Sequence, residues 1–199
     1  MLTQRSDSVS EADYLRLEET SDIRHEYVAG VIYAMTGATL RHNIIAGNIY
    51  SLVRAHLKGS PCRAFMSDAK LRVAKQNAYY YPDVMVTCEP RLNRLTATDT
   101  VVEQPLLVVE VLSPTTEGID RREKRFAYRT LTSLREYVLV NADQVQVEIH
   151  RRLSEVDWEI TLLSAGDPVE LKSIELATSL GQIYEESGVD MGLPSTSHA

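Results

Sequence analysis

Two acidic residues sit inside apolar runs. Asp83 lies in Tyr81-Pro82-Asp83-Val84-Met85-Val86, and Glu110 lies in Leu106-Leu107-Val108-Val109-Glu110-Val111-Leu112. Runs this apolar read as strands buried on both faces. A carboxylate within one needs a partner, because burying a lone charge is costly or forces protonation. Two such carboxylates on neighbouring strands repel each other unless a cation sits between them. A divalent metal answers this pattern. Mg²⁺ takes oxygen ligands and keeps several waters, and it can activate a bound water and stabilise charge on a phosphoryl oxygen.

A basic segment follows the second run: Asp120-Arg121-Arg122-Glu123-Lys124-Arg125. Asp120, Lys124 and Tyr128 are spaced at i, i+4 and i+8, so they share one face of a helix. Because that helix begins just after the Glu110 strand, the face can point Lys124 at the carboxylates, where an ammonium would stabilise a developing anion. The competing structural reading is an ion pair between Glu110 and Lys124, with Asp83 merely ending its strand. Glu26, Asp68 and His42 are accessory candidates: the carboxylates as further ligands, the histidine as a contact to a metal-bound water or phosphate. Each has a plainer alternative, a surface carboxylate or a capping or packing histidine. Arg121, Arg122 and Arg125 form a local basic patch that could touch nucleic acid or be a solvated helix face.

The elements that must position these groups are readable. Ser10 caps a helix over 11–19. Two β-rich arms meet at Ala29-Gly30 as a hairpin. Ile44, Ile45, Ile49, Leu52, Val53 and Leu57 recur at helical steps over 40–58, and Lys58-Gly59-Ser60-Pro61 ends that helix. Strands are expected at 62–66, 69–74, 82–88 and 106–112, with a surface loop over 89–104 between the last two. A helix over 117–130, strands at 137–140, 145–150 and 157–163, and a short helix over 177–185 complete the order. One domain over 10–187 is expected, with residues 1–9 and 188–199 disordered. The order suits an α/β or α+β fold with a mixed sheet flanked by helices.

The chain has 199 residues and a net charge of −7. That balance argues against broad adhesion to nucleic acid but leaves a local basic patch possible. No apolar run is long enough to span a bilayer and the N-terminus is not signal-like, so a cytoplasmic protein is expected. Cys62 and Cys88 lack metal-ligand spacing and are expected as buried free thiols. P-loop, dinucleotide, nucleophile-elbow and zincin motifs are absent from the sequence.

These residues together resemble the Uma-two family of restriction endonucleases, within the PD-(D/E)xK nuclease superfamily. The likeness runs over about residues 10–185. It rests on Arg24-His25-Glu26-Tyr27-Val28-Ala29-Gly30, His42, Pro82-Asp83-Val84-Met85-Val86 and Leu107-Val108-Val109-Glu110-Val111-Leu112-Ser113-Pro114-Thr115-Thr116. Asp120, Lys124, Tyr128 and Tyr137-Val138-Leu139-Val140 follow in order. The resemblance implies a restriction-endonuclease-like core, Mg²⁺ or Mn²⁺ on Asp83 and Glu110, hydrolysis of DNA phosphodiesters, and a homodimer. It also marks a departure: the superfamily pattern has a lysine two residues after the glutamate, where this chain has Leu112, so Lys124 would supply the amine from the next helix. Two other readings stand beside it. One is a catalytically weak nuclease-like domain that binds nucleic acid or a protein; the other is a hydrolase of another phosphoester.

Overall fold

The computed structural model describes residues 8–35, 37–113 and 117–192. Its centre is a six-stranded sheet in the order β11-β10-β9-β8-β6-β3. These strands are β3 Arg63–Met66, β6 Val84–Thr87, β8 Pro105–Leu112, β9 Glu136–Asn141, β10 Gln146–Arg152 and β11 Trp158–Ser164. Only β8 and β9 pair in parallel within it. Parallel neighbours need a crossover of a dozen or more residues. The connection here contains helix α3, residues 117–129, which returns across one face of the sheet.

A second sheet, in the order β2-β1-β5-β4-β7, covers that same face. It is built from β1 His25–Val28, β2 Val31–Ala34, β4 Lys70–Val73, β5 Ala78–Tyr80 and β7 Val101–Val102. Leu71, Val73, Ala78 and Tyr80 of this sheet pack with Met85, Val108, Leu112, Tyr137 and Leu139 of the central sheet and with Ala127 and Tyr128 of α3. The opposite face of the central sheet presents Val84, Val86, Val109, Val111, Val138 and Val140 to helix α2, Leu40–His56, through Ile45, Ala46, Ile49 and Val53. The period-two alternation of β6, β8 and β9 thus feeds two separate cores. Helix α1, Glu11–Thr20, closes the outer side of the second sheet, where Tyr14 stacks on Tyr27 and packs at a tilt against Tyr79.

Several expected elements stand as read. Ser10 caps α1 by accepting from Asp13 N–H. Ala29 and Gly30 turn the first hairpin with φ of 49° and 94°, the left-handed pair of a type I′ turn. A side chain at Gly30 would also meet Ser8, since a Cβ there lies 2.7 Å from Ser8 Cβ.

Other expectations are corrected. The loop over 89–104 contains β7, and buried Glu89 pins it by accepting from Glu103 and Gln104 N–H at 2.9 and 2.7 Å. The short helix expected over 177–185 is α4, Leu180–Ile183; the residues before it belong to β13, Leu176–Ser179, which forms a hairpin with β12, Pro168–Leu171. Cys62 and Cys88 are joined as a disulfide. Arg63 pairs with Thr87 in antiparallel register, so the next pair outward faces the two cysteines across the strands, a relation their sequence spacing does not reveal. At the ends, Val9 N–H bonds Gly30 carbonyl and Val189 packs into the core. The order therefore reaches inside both termini expected to be disordered, and residues 1–7 and 193–199 lie outside the described residues.

Candidate active site

Asp83 and Glu110 meet because of register. Val84 pairs with Val109 between β6 and β8, and one step beyond places Asp83 opposite Glu110, on the same face. That face is the one shared with Met85 and Val108, beneath the crossover helix and the second sheet. Asp83 is doubly held: Oδ2 accepts from Val111 N–H at 2.7 Å and Oδ1 accepts from His42 Nε2 at 2.9 Å. His42 sits in the first turn of α2, whose cap is Thr39 rather than the histidine. Burial disfavours its cation, but the Asp83 carboxylate outweighs burial and raises the His42 pKa above the ordinary value.

Lys124 fills the space above Glu110. Its Nζ lies 2.9 Å from Glu26 Oε1, 3.3 Å from Glu110 Oε1 and 3.2 Å from Asp120 Oδ1. The last contact is Coulombic only, because that oxygen has no hydrogen-bond partner among the described residues. Tyr128 donates to Glu110 Oε1 at 2.8 Å. Tyr137 donates to Asp120 carbonyl at 3.0 Å, and the Tyr80 ring lies 5.8 Å below Nζ. Helix α3 delivers these groups through an unusual turn: Asp120–Lys124 is π-helical between the α-helical segments Glu117–Ile119 and Arg125–Arg129. Such bulges are rare and recur at functional sites.

The electrostatics follow from four carboxylates, Glu26, Asp83, Glu110 and Asp120, gathered around one lysine and one histidine. Burial pushes the Glu110 pKa well up; Lys124 opposes this, while Asp120, Asp83 and Glu26 add to it. Burial works against the Lys124 ammonium, yet Glu110, Glu26 and Asp120 prevail and hold its pKa well above the lysine value. Burial and Glu110 likewise raise Tyr128. The cluster has a dry floor and an open side. Glu110 and Asp120 side chains are 4% and 2% exposed, whereas Asp83, Glu26 and His42 keep 18%, 15% and 13%.

The donor set suits a hard divalent cation in kind: carboxylate oxygens on adjacent strands with negative charge in excess. In placement, the Lys124 ammonium occupies the position between three of those carboxylates, and no cluster of three or more His, Cys, Asp or Glu is poised for a metal among the described residues.

The structure does not bring every candidate here. Asp68 is corrected: its side chain is 80% exposed and pairs with Arg24 on the surface, because Ser67, at φ 45°, turns the chain outward between the sheets. Arg121 is engaged by Glu117 and by Glu148 of β10, so it is not a free cation of the helix. Arg122 is exposed and Arg125 half-buried, and neither makes an ion pair among the described residues. Sequence reasoning missed Tyr80, whose signal was the Tyr79-Tyr80-Tyr81 run, and gave no site role to Tyr137, although it opens the Tyr137-Val138-Leu139-Val140 motif. Of the Ser113-Pro114-Thr115-Thr116 motif, Pro114, Thr115 and Thr116 lie outside the described residues.

Comparison with known proteins agrees in scale with this domain. The sequence profile of a family described as "Uma2: Putative restriction endonuclease" matches residues 11–181. Two uncharacterized Synechocystis proteins are similar: slr1290, 38% identical over 88% of this chain and 91% of its own length, and sll1609, 31% identical over 86% and 96%. A crystal structure described as a putative nuclease belonging to DUF820 from Anabaena variabilis matches at TM-score 0.66 and 18% identity, over 87% of this chain and 96% of that one. That likeness is one of fold. Among the described residues no helix is long and apolar enough to cross a membrane.

Proposed function

The chain belongs to the Uma2 family of putative restriction endonucleases, and from that membership we propose that it is a metal-dependent endonuclease hydrolysing DNA phosphodiester bonds. The observation that supports this most is the meeting of Asp83, Glu110 and Lys124 in one acidic cluster, with Glu110 and Lys124 on its buried floor and Asp83 at its open side. Asp83 and Glu110 would hold Mg²⁺ or Mn²⁺, which when bound supplies Lewis acidity toward a phosphoryl oxygen and a water of lowered pKa. The remaining steps belong to the side chains. His42 and Val111 N–H fix the Asp83 carboxylate, so it enters the reaction without reorganising. Tyr128 fixes Glu110. Lys124, drawn toward the scissile phosphate, stabilises the charge that grows on its oxygens and orients the attacking water. Arg122 and Arg125 lie on the same helix and would hold flanking phosphates. A second copy of the chain would address the opposite strand of a duplex.

The test is DNA cleavage with Mg²⁺, Mn²⁺, Ca²⁺ or EDTA by the unaltered chain and by Asp83→Ala and Glu110→Ala. The reading requires cleavage with Mg²⁺ or Mn²⁺ that both substitutions abolish. One observation favours a second reading, a nuclease-like domain that binds without cutting: the Lys124 ammonium already occupies the space between Glu26, Glu110 and Asp120 that a cation would take. DNA retained but uncut under every metal would establish that reading and remove the first.

A further inference from the structure

The Cys62–Cys88 pair lies away from the acidic cluster, at the far end of β6, beside a second feature. An open cavity of about 450 Å³ is lined by Arg54, Lys58, Cys62 and Arg63, together with Leu57, Gly59, Ser60 and Ala64. Cys88 does not line it. Three cations therefore face this space, and its lining contains no carboxylate. Among the described residues none of the three makes an ion pair, although Arg63 donates to the Ser60 and Cys62 carbonyls at 3.2 and 3.0 Å. This is a concentrated positive surface on a chain of net charge −7. Both cysteines are partly exposed, Cys62 lines the cavity while packing on its other side against the core, and it immediately precedes β3, an edge strand.

From this juxtaposition we propose that the cavity is a docking site for a small thiol bearing carboxylates, which exchanges with the disulfide at Cys62. The thiolate attacks Cys62 Sγ. The Cys62–Cys88 bond breaks, and Cys88 leaves as a thiolate that takes a proton from water. The product is a mixed disulfide on Cys62, with its carboxylates among Arg54, Lys58 and Arg63. A second thiolate then attacks the sulfur of the bound small molecule. Cys62 leaves and is protonated, so that two thiols become one small disulfide and the protein becomes a dithiol. The volume suits a ligand of tripeptide size, and the cations favour the anionic reactant and the Cys62 thiolate as leaving group in the second step. This site is independent of the nuclease reading.

The experiment uses the full chain purified without reductant. Thiol titration in denaturant should first find no free thiol. Three probes are then compared at equal thiolate concentration: glutathione (anionic), 2-mercaptoethanol (neutral) and cysteamine (cationic). Intact mass and peptide mapping follow the adducts. The expected result is exchange about tenfold faster with glutathione than with cysteamine, the adduct on Cys62, and an advantage that shrinks with added salt. It should vanish in Arg54→Gln/Lys58→Gln, whose substitutions are on exposed side chains, with thermal unfolding checked alongside. Rates that ignore charge, an adduct on Cys88, or free thiols in the untreated chain would each overturn the proposal.

Discussion

Lys124→Met tests whether the acidic cluster is held by its lysine. The ammonium is buried, 7% exposed, within 3.3 Å of Glu26, Glu110 and Asp120. A methionine has similar length and fills the same space, so the packing loss is small. What is lost is the counter-ion of three carboxylates that have little access to water. Removing one partner of a buried pair typically costs about 3–5 kcal/mol. In a chain of 199 residues, each kcal/mol moves the melting temperature by about 2–4 °C, so the midpoint should fall by about 6–20 °C. The assay is thermal and urea unfolding in EDTA. A titration with Mn²⁺ should then return about 2–3 kcal/mol to the variant at a hundredfold excess over the variant's dissociation constant, and less to the unaltered chain at the same Mn²⁺ concentration, because there the metal competes with the ammonium. A loss under about 1 kcal/mol in EDTA would refute the reasoning, since it would mean that the carboxylates are not charged around Lys124.

Glu110→Gln removes a negative charge that burial and three acidic neighbours disfavour, while its amide oxygen can still accept from Tyr128; in EDTA it should be neutral or stabilising by about 1 kcal/mol and yet abolish cleavage, measured by urea unfolding and DNA nicking. His150 is fully buried, receives Arg129 NH2 on Nδ1 at 3.1 Å and donates from Nε2 to Glu148, so it is the neutral tautomer, with its pKa lowered by burial. A histidine neutral in the fold but protonated when unfolded costs stability as pH falls below about 6.5, so the melting temperature should drop with acidification from that point, and less so in His150→Gln. Cys62→Ser/Cys88→Ser opens a loop of sequence separation 26 and should cost about 2–4 kcal/mol in urea unfolding. Replacing exposed Arg122 should flatten the salt dependence of DNA binding by about one phosphate contact, measured by fluorescence anisotropy, whereas Arg121→Gln, already ion-paired, should change it little.

The sequence made the central sheet legible because β6, β8 and β9 are apolar on both faces, and strands of that kind have few alternatives. In the second sheet the β1–β2 hairpin and β4 were legible, and β5 and β7 were not. β5 and β7 are three and two residues long, too short to show a period, and they form because the face above Met85, Val108 and Leu139 must be covered. The disulfide was hidden for a similar reason. Each cysteine sits in its own apolar context, and only the β3–β6 register puts them opposite each other.

The candidate site was more legible than its surroundings, because a charge buried on a strand stands out in sequence. Buried carboxylates on strands mark the places where a chain must supply a partner, and the partner decides the role. Glu136 opens β9 and is fully buried; it too borders an apolar run, although Arg135 precedes it where Glu110 has apolar neighbours on both sides. Its partners are Arg151 at 2.9 Å and the Lys172 and Ser173 N–H groups at 3.1 and 2.8 Å, which serve its charge completely and make it a structural anchor. Glu110 instead shares one ammonium with Glu26 and Asp120, next to Asp83. Burial on a strand does not by itself assign the two roles. The helical spacing of Asp120, Lys124 and Tyr128 does, because a crossover between parallel strands must pass over the sheet and so brings its inner face down on the strand it left. An amine two residues along β8 would point to the same face as Glu110, and Leu112 there is buried in the core. A lysine on the crossover reaches the same carboxylate from above, so the departure from the expected strand pattern changes the route of the charge and keeps its destination.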